Sequence, residues 1–179
     1  MTPLPPRTQG FLRQAVGRPL GWLGMLGILL TVGLVSGCRP DAIFAGSEAI
    51  PETGWEADAP VAFEWTVQDT TLRQDFFLDI RHDQSYPFSN IYFFLDVNFP
   101  NGKRLRDTVA CDLADEQGQW LGTGFGNMVD QRVRFRSGTA FPIPGNYRME
   151  VRHAMRLNPL PGVHDVGFRL ERARLNPGE

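Results

Sequence analysis

From Val61 onward, apolar and polar side chains alternate with a period of two. Val61, Phe63, Trp65 and Val67 are separated by Ala62, Glu64 and Thr66. Phe76, Leu78 and Ile80 alternate with Asp75, Phe77, Asp79 and Arg81, and Ile91, Phe93, Leu95, Val97 and Phe99 form the longest stripe. Val109, Cys111 and Leu113 follow, then Val133 and Phe135, then Tyr147, Met149 and Val151, and last Val166, Phe168 and Leu170. Successive side chains of a strand point to opposite faces, so these seven stretches read as strands with one apolar face each. A helical period fits none of them as well.

The breaks between stretches carry turn chemistry. Pro100-Asn101-Gly102 holds an Asn-Gly pair, which predicts a type I′ hairpin turn. Pro144-Gly145-Asn146 and Asn158-Pro159-Leu160-Pro161-Gly162 stop the chain before the last two strands. One sheet would leave an apolar face bare, so two sheets must pack together. The expected fold is all-β: a single antiparallel β-sandwich over residues 61–175, immunoglobulin-like or jelly-roll-like, with about seven to eight strands. A content of 19 glycines and 14 prolines fits this turn-rich reading, and a net charge of −2 gives no global basic field for nucleic acid.

The first 37 residues break the pattern. They hold no Asp or Glu and three arginines, Arg7, Arg13 and Arg18, followed by sixteen uncharged residues from Leu20 to Val35. A basic flank, a short apolar core and a small-residue exit predict a secretory signal. The apolar run is short for a membrane span, which needs about 20 residues. It ends in Val35-Ser36-Gly37-Cys38, which looks like the lipobox of bacterial lipoproteins. Cleavage before Cys38 is therefore expected, with diacylglycerol and N-acyl groups on that cysteine. The alternative is an uncleaved signal anchor whose cysteine is incidental. Cleavage leaves 142 of the 179 residues and a net charge of about −5, because all 20 acids but only 15 of 18 basic residues remain. Residues 38–60, with Pro51, Gly54 and Pro60 and no periodicity, read as a linker between lipid and domain, with Trp55 docking back as the alternative.

With Cys38 acylated, Cys111 has no intramolecular partner and reads as a small buried hydrophobe. No catalytic constellation stands out. Gly122-Thr123-Gly124-Phe125-Gly126 lacks the spacing of a dinucleotide fingerprint and reads as a bend where backbones pass closely. His82-Asp83 and His164-Asp165 are adjacent pairs without zinc-ligand spacing, and His153 stands alone. No metal, cofactor or small-molecule substrate is expected. Candidate contacts to a partner are few. Arg132, Arg134 and Arg136 place three guanidinium groups on one strand face, either paired with residues such as Glu150 or Glu171 or forming a docking surface. Trp120 among Gly118, Gly122 and Gly124 is either an interface aromatic or a plug for one end of the sandwich. Tyr86 and Phe88 are loop anchors or contacts. Arg156 fastens a loop carbonyl or binds an acidic group. Tyr92 and Phe94 lie on the outward side of the longest stripe, either exposed or covered.

Three segments resemble a known family: Tyr86–Asn90 (YPFSN), Leu113–Gly126 (LADEQGQWLGTGFG) and His153–Glu171 (HAMRLNPLPGVHDVGFRLE). Their order and spacing, with the lipobox ahead of them, are similar to the gliding-motility lipoprotein GldH family over about residues 61–173. The resemblance implies a compact β-rich domain behind a lipid anchor, in the cell envelope at the outer membrane. It implies a non-enzymatic part in gliding motility, tied to type IX secretion, with other envelope lipoproteins as partners and no catalytic residues. The basic set here holds one lysine, Lys103, so the arginine row is not taken as a family feature. A lipid-anchored carbohydrate- or small-ligand-binding module is the alternative function, and a lipid-anchored hydrolase a third.

Overall fold

The computed structural model describes residues 42–173. Cys38, the leader ahead of it and Arg39 lie outside the described residues. The described chain is nine strands without a helix: β1 Ala42–Ala49, β2 Val61–Val67, β3 Gln74–Asp83, β4 Asn90–Asn98, β5 Arg104–Asp112, β6 Thr123–Phe125, β7 Met128–Thr139, β8 Gly145–His153 and β9 Val163–Arg172. All seven expected strands form.

The pairing follows from one long antiparallel ribbon. β1 pairs with β9, β2 with β8, β3 with β7 and β4 with β5. The ribbon is rolled so that β9 also meets β3 and β8 also meets β4. The result is a five-stranded sheet, β1-β9-β3-β7-β6, facing a four-stranded sheet, β2-β8-β4-β5. An immunoglobulin sandwich keeps its first two strands as neighbours in one sheet. Here β1 and β2 belong to different sheets, so of the two expected wirings the chain takes the jelly roll.

The inward side chains are the period-two residues. Trp65 packs on Phe168 (ring centroids 5.1 Å) and stacks on Tyr147 (5.7 Å), which meets Phe141 (4.7 Å). Each such aromatic pair adds about 0.5–1.5 kcal/mol beyond the area it buries. Leu78, Ile80, Ile91, Phe93, Leu95, Val151 and Leu170 complete the core.

Two expectations change. Residues 42–60 are not a free linker. Ala42–Ala49 pairs with β9 as an edge strand, and Trp55, 1% exposed, bridges to Leu160 and donates its indole N–H to the Ala59 carbonyl (2.8 Å). The strand escapes pattern reading because its apolar residues are mostly alanine. Only Phe44 reaches the core, and an added Cβ at Gly46 would sit 3.0 Å from the Phe63 ring. The Pro100-Asn101-Gly102 hairpin is not type I′ either. That turn needs positive φ at both central residues, and only Gly102 has it (φ 80°). Pro100 takes the first central position, the Gly102 N–H reaches the Phe99 carbonyl (2.9 Å), and the Phe99 N–H reaches Lys103 (2.8 Å). This is a type I turn closed by a glycine bulge.

Candidate functional site

The outer face of the five-stranded sheet carries a lattice of opposite charges. Cross-strand register sets Asp79 of β3 opposite Arg132 of β7 and Gly167 of β9. Asp79 accepts from Arg132 (2.6 Å) and Arg169 (3.4 Å), and Glu171 lies 3.6 Å from Arg132. Arg134 reaches Asp75 (3.4 Å), whose other oxygen accepts the Gly138 N–H (2.9 Å). Arg81 joins Asp130 (2.7 Å) and Asp165 (3.9 Å). The hydrogen bonds to Asp79 and Asp130 push the Arg132 and Arg81 guanidinium pKa values up. Arg136 crosses to the other sheet and holds Asp107 (2.6 Å). Each guanidinium of the expected docking row is thus held by a carboxylate of the same chain.

This face holds an open cleft of about 560 Å³ between Ser47, Asp79, Arg81, Leu121, Asp130 and Asp165. A second cleft is small and apolar, about 90 Å³, between the sheets beside Trp65, Leu105, Phe135 and Phe141. The Arg136–Asp107 pair belongs to its wall, and the buried Trp65 indole N–H has no partner among the described residues. On the outer face of the four-stranded sheet, Glu64, Arg148, Glu150 and Arg152 form a chain of pairs, and Arg106 holds Asp96 (2.6 Å). Tyr92 (42%) and Phe94 (37%) are exposed there, with the Arg106 guanidinium 5.5 Å from the Phe94 ring centre.

The remaining candidate residues lie at the end of the sandwich where β1, β3, β5 and β8 finish. Trp120 is half-buried and meets His82 edge to face (4.5 Å), held by a bridge to Ala114 and by the Leu121 N–H on the Leu113 carbonyl (2.9 Å). It plugs that end. Tyr86 is 3% exposed, its hydroxyl donates to the Asn90 carbonyl (2.8 Å), and its ring packs against His82. It is a loop anchor, so the partner contact expected of it is closed off by burial. Phe88 packs beside it, and Arg156 is exposed with no side-chain hydrogen bond or ion pair among the described residues. The glycine bend is a close approach: a Cβ at Gly124 would run into the Met128 carbonyl, and one at Gly122 into Asp130.

The titratable groups at this end are tied into the structure. His164 Nε2 lies 2.7 Å from Asp83, so the two His-Asp pairs of the sequence meet across strands. Burial opposes ionisation of Asp83, but bonds from Ser85 and His164 outweigh it and its pKa falls. Burial pushes His82 and His153 below the usual imidazole range. It pushes the Cys111 thiol up to about 12, with Asp112 adding to the effect, so the thiolate is not accessible near neutral pH. Among the described residues there is no His, Cys, Asp and Glu cluster able to hold a metal ion.

Comparison with known sequences decides the family. The profile of the GldH lipoprotein family matches residues 42–170. The chain belongs to the GldH lipoprotein family. The match begins at the first residue of β1, which agrees with that strand being part of the folded unit. A gliding motility lipoprotein GldH homolog of Christiangramia forsetii is 33% identical over 152 residues, covering 81% of this chain and 93% of its own length. The gliding motility lipoprotein GldH of Flavobacterium johnsoniae is 26% identical over 151 residues, covering 80% and 93%. Among solved structures, the infectious bursal disease virus VP2 subviral particle aligns with 75% of this chain and 32% of its own at 9% identity and a TM-score of 0.28, too slight a likeness to bear on fold or function.

Proposed function

We propose that this GldH-family chain is a non-enzymatic lipoprotein subunit of the gliding motility machinery. Acyl groups on Cys38 hold it in the outer membrane, and it acts by contact with other envelope proteins linked to type IX secretion. Family membership over residues 42–170 carries this reading. The surface chemistry supports it: the charged sheet faces are matched within the chain, and the buried thiol and histidines sit in structural roles.

The contacts to a partner fall at the Trp120 end. Leu121 is half-exposed and Phe125, on the β6 hairpin, is 95% exposed. Exposed aromatic anchors are what interfaces bury at their centres. Extraction of the native envelope in mild detergent, followed by size separation and mass spectrometry, tests the proposal. The chain is expected in a high-mass fraction with other envelope proteins. A Phe125→Asp, Leu121→Asp variant of unchanged thermal midpoint is expected to leave that fraction. A wild-type chain that runs alone as a single lipoprotein would contradict the proposal.

A further inference from the structure

The ion pairs leave an uneven remainder. Thirteen basic side chains are described, and eight of them hold a carboxylate: Arg81, Arg106, Arg132, Arg134, Arg136, Arg148, Arg152 and Arg169. Arg73, Lys103, Arg104, Arg156 and Arg172 hold none among the described residues, and all five are exposed. The wiring gathers four of these at one end of the sandwich. Arg172 closes β9 opposite Gln74, Arg73 directly precedes Gln74 and donates to the Gly138 carbonyl at the end of β7 (2.8 Å), and Lys103 and Arg104 open β5. One exposed carboxylate, Asp69, lies in the loops there. It accepts from Thr71 (2.6 Å), stays ionised and is felt by Arg172, so among the described residues the end carries four positive charges against one negative.

The other end has the opposite character. Glu52, Glu56, Asp58, Asp115 and Glu116 are charged loop residues there with no ion pair among the described residues, against the single cation Arg156. Strands of nine to ten residues separate the two ends by roughly 30 Å, far beyond the screening length of about 8 Å at physiological salt. The acidic end therefore does not cancel the field of the basic one.

The same wiring says which end is near the anchor. Ala42 opens β1 opposite Glu171, so the chain enters the sandwich at the basic end. Cys38 lies four residues earlier, a reach of at most about 14 Å. We infer that the end formed by Arg73, Lys103, Arg104 and Arg172 is a docking surface for an anionic lipid bilayer, which stands the sandwich upright with its acidic, Trp120-bearing end turned outward. Placing this end at the bilayer rests on acylation of Cys38. Attraction of the end for anionic headgroups does not, because it follows from the excess of four cations over the one carboxylate, Asp69, in its described loops.

Two measurements separate these parts. In the first, the mature chain with Cys38→Ser, hence without acyl groups, is floated with vesicles of phosphatidylcholine alone or with three-tenths phosphatidylglycerol. Each basic residue near an anionic surface strengthens binding about fivefold. Binding to the anionic vesicles is expected to exceed that to neutral ones by at least tenfold at low salt. It is expected to collapse at 0.5 M salt and in the variant Arg73→Gln, Lys103→Gln, Arg104→Gln, Arg172→Gln. Equal binding to both vesicles, or a variant that binds like the parent, would overturn the inference. A circular dichroism melt shows that the variant is folded.

In the second, the acylated chain, its acyl mass confirmed on the N-terminal peptide, is labelled at Asn101→Cys or Glu116→Cys and set in the anionic vesicles. Cys111 is buried and does not compete for the label. A headgroup quencher is expected to reach the label at 101 and not the one at 116. Equal quenching would overturn the upright placement. A missing acyl mass would remove the anchor reading and with it the placement, while the first measurement still decides the lipid preference.

Discussion

His82 shows how a buried polar side chain becomes part of the packing. Its Nδ1 lies 3.1 Å from the Asp83 carbonyl, while Nε2 sits without a partner beneath Trp120. Protonation would place a second N–H where nothing accepts it. Burial therefore lowers the pKa of His82 from 6.5, and it lowers that of His153 in the same way. In the unfolded chain both titrate near 6.5. Below that pH the unfolded state binds more protons than the folded one, so stability falls as the pH drops and levels off once the folded histidines also protonate. The lowered carboxylates Asp69 and Asp96 act only below about 3.8, where their hydrogen bonds to Thr71 and Arg106 are lost. Thermal midpoints are expected to be flat between pH 7 and 8 and to fall by several degrees from pH 7 to 5; they fall again above about pH 9, where the Cys111 thiol ionises in the unfolded chain and not in the folded one. Replacing His82 and His153 by Gln is expected to flatten that fall; an unchanged slope would place the proton uptake elsewhere.

At the scale of elements, the strands with large alternating side chains were legible from sequence and the edge strand was not. β3 and β4 announce themselves because Leu78, Ile80, Ile91, Phe93 and Leu95 must all leave water on one side. β1 contributes one large side chain, Phe44, and its remaining hold on the sandwich is the ladder to β9 with the Ser47 hydroxyl donating to Asp165 (3.1 Å). Trp55 locks the segment that follows, with the Ala59 carbonyl accepting from its indole and its own carbonyl 2.9 Å from His153 Nε2. Trp55→Ala is expected to cost about 3–5 kcal/mol in denaturant unfolding. Phe44→Ala, at a half-buried edge, is expected to cost less. If Trp55→Ala unfolds at the wild-type denaturant concentration, residues 50–60 are not part of the folded unit. The arginine row was half legible: its spacing on one face is in the sequence, but its partners Asp75, Asp79 and Asp107 are set by strand register and by the roll of the ribbon.

Over the whole molecule, the family and the sandwich could be read from ordered motifs and alternation, while the charge polarity could not. Arg73, Lys103, Arg104 and Arg172 are scattered over a hundred residues, and only the jelly-roll wiring brings them to one end. The same holds for the choice between jelly roll and immunoglobulin wiring, since alternation fixes which face is buried but not which strands are neighbours. What emerges is a body whose sheet faces carry internally paired charges and whose two ends differ, one basic and one bearing Phe125 and Trp120. That division of labour accords with a tethered subunit that works by contact. Tracking of cell gliding in the native host tests this most directly. Deleting the gene is expected to stop gliding, wild-type chain to restore it, and the Cys38→Ser chain, expressed to the same level, to leave the cells still. A deletion strain that glides as the parent does would contradict the account.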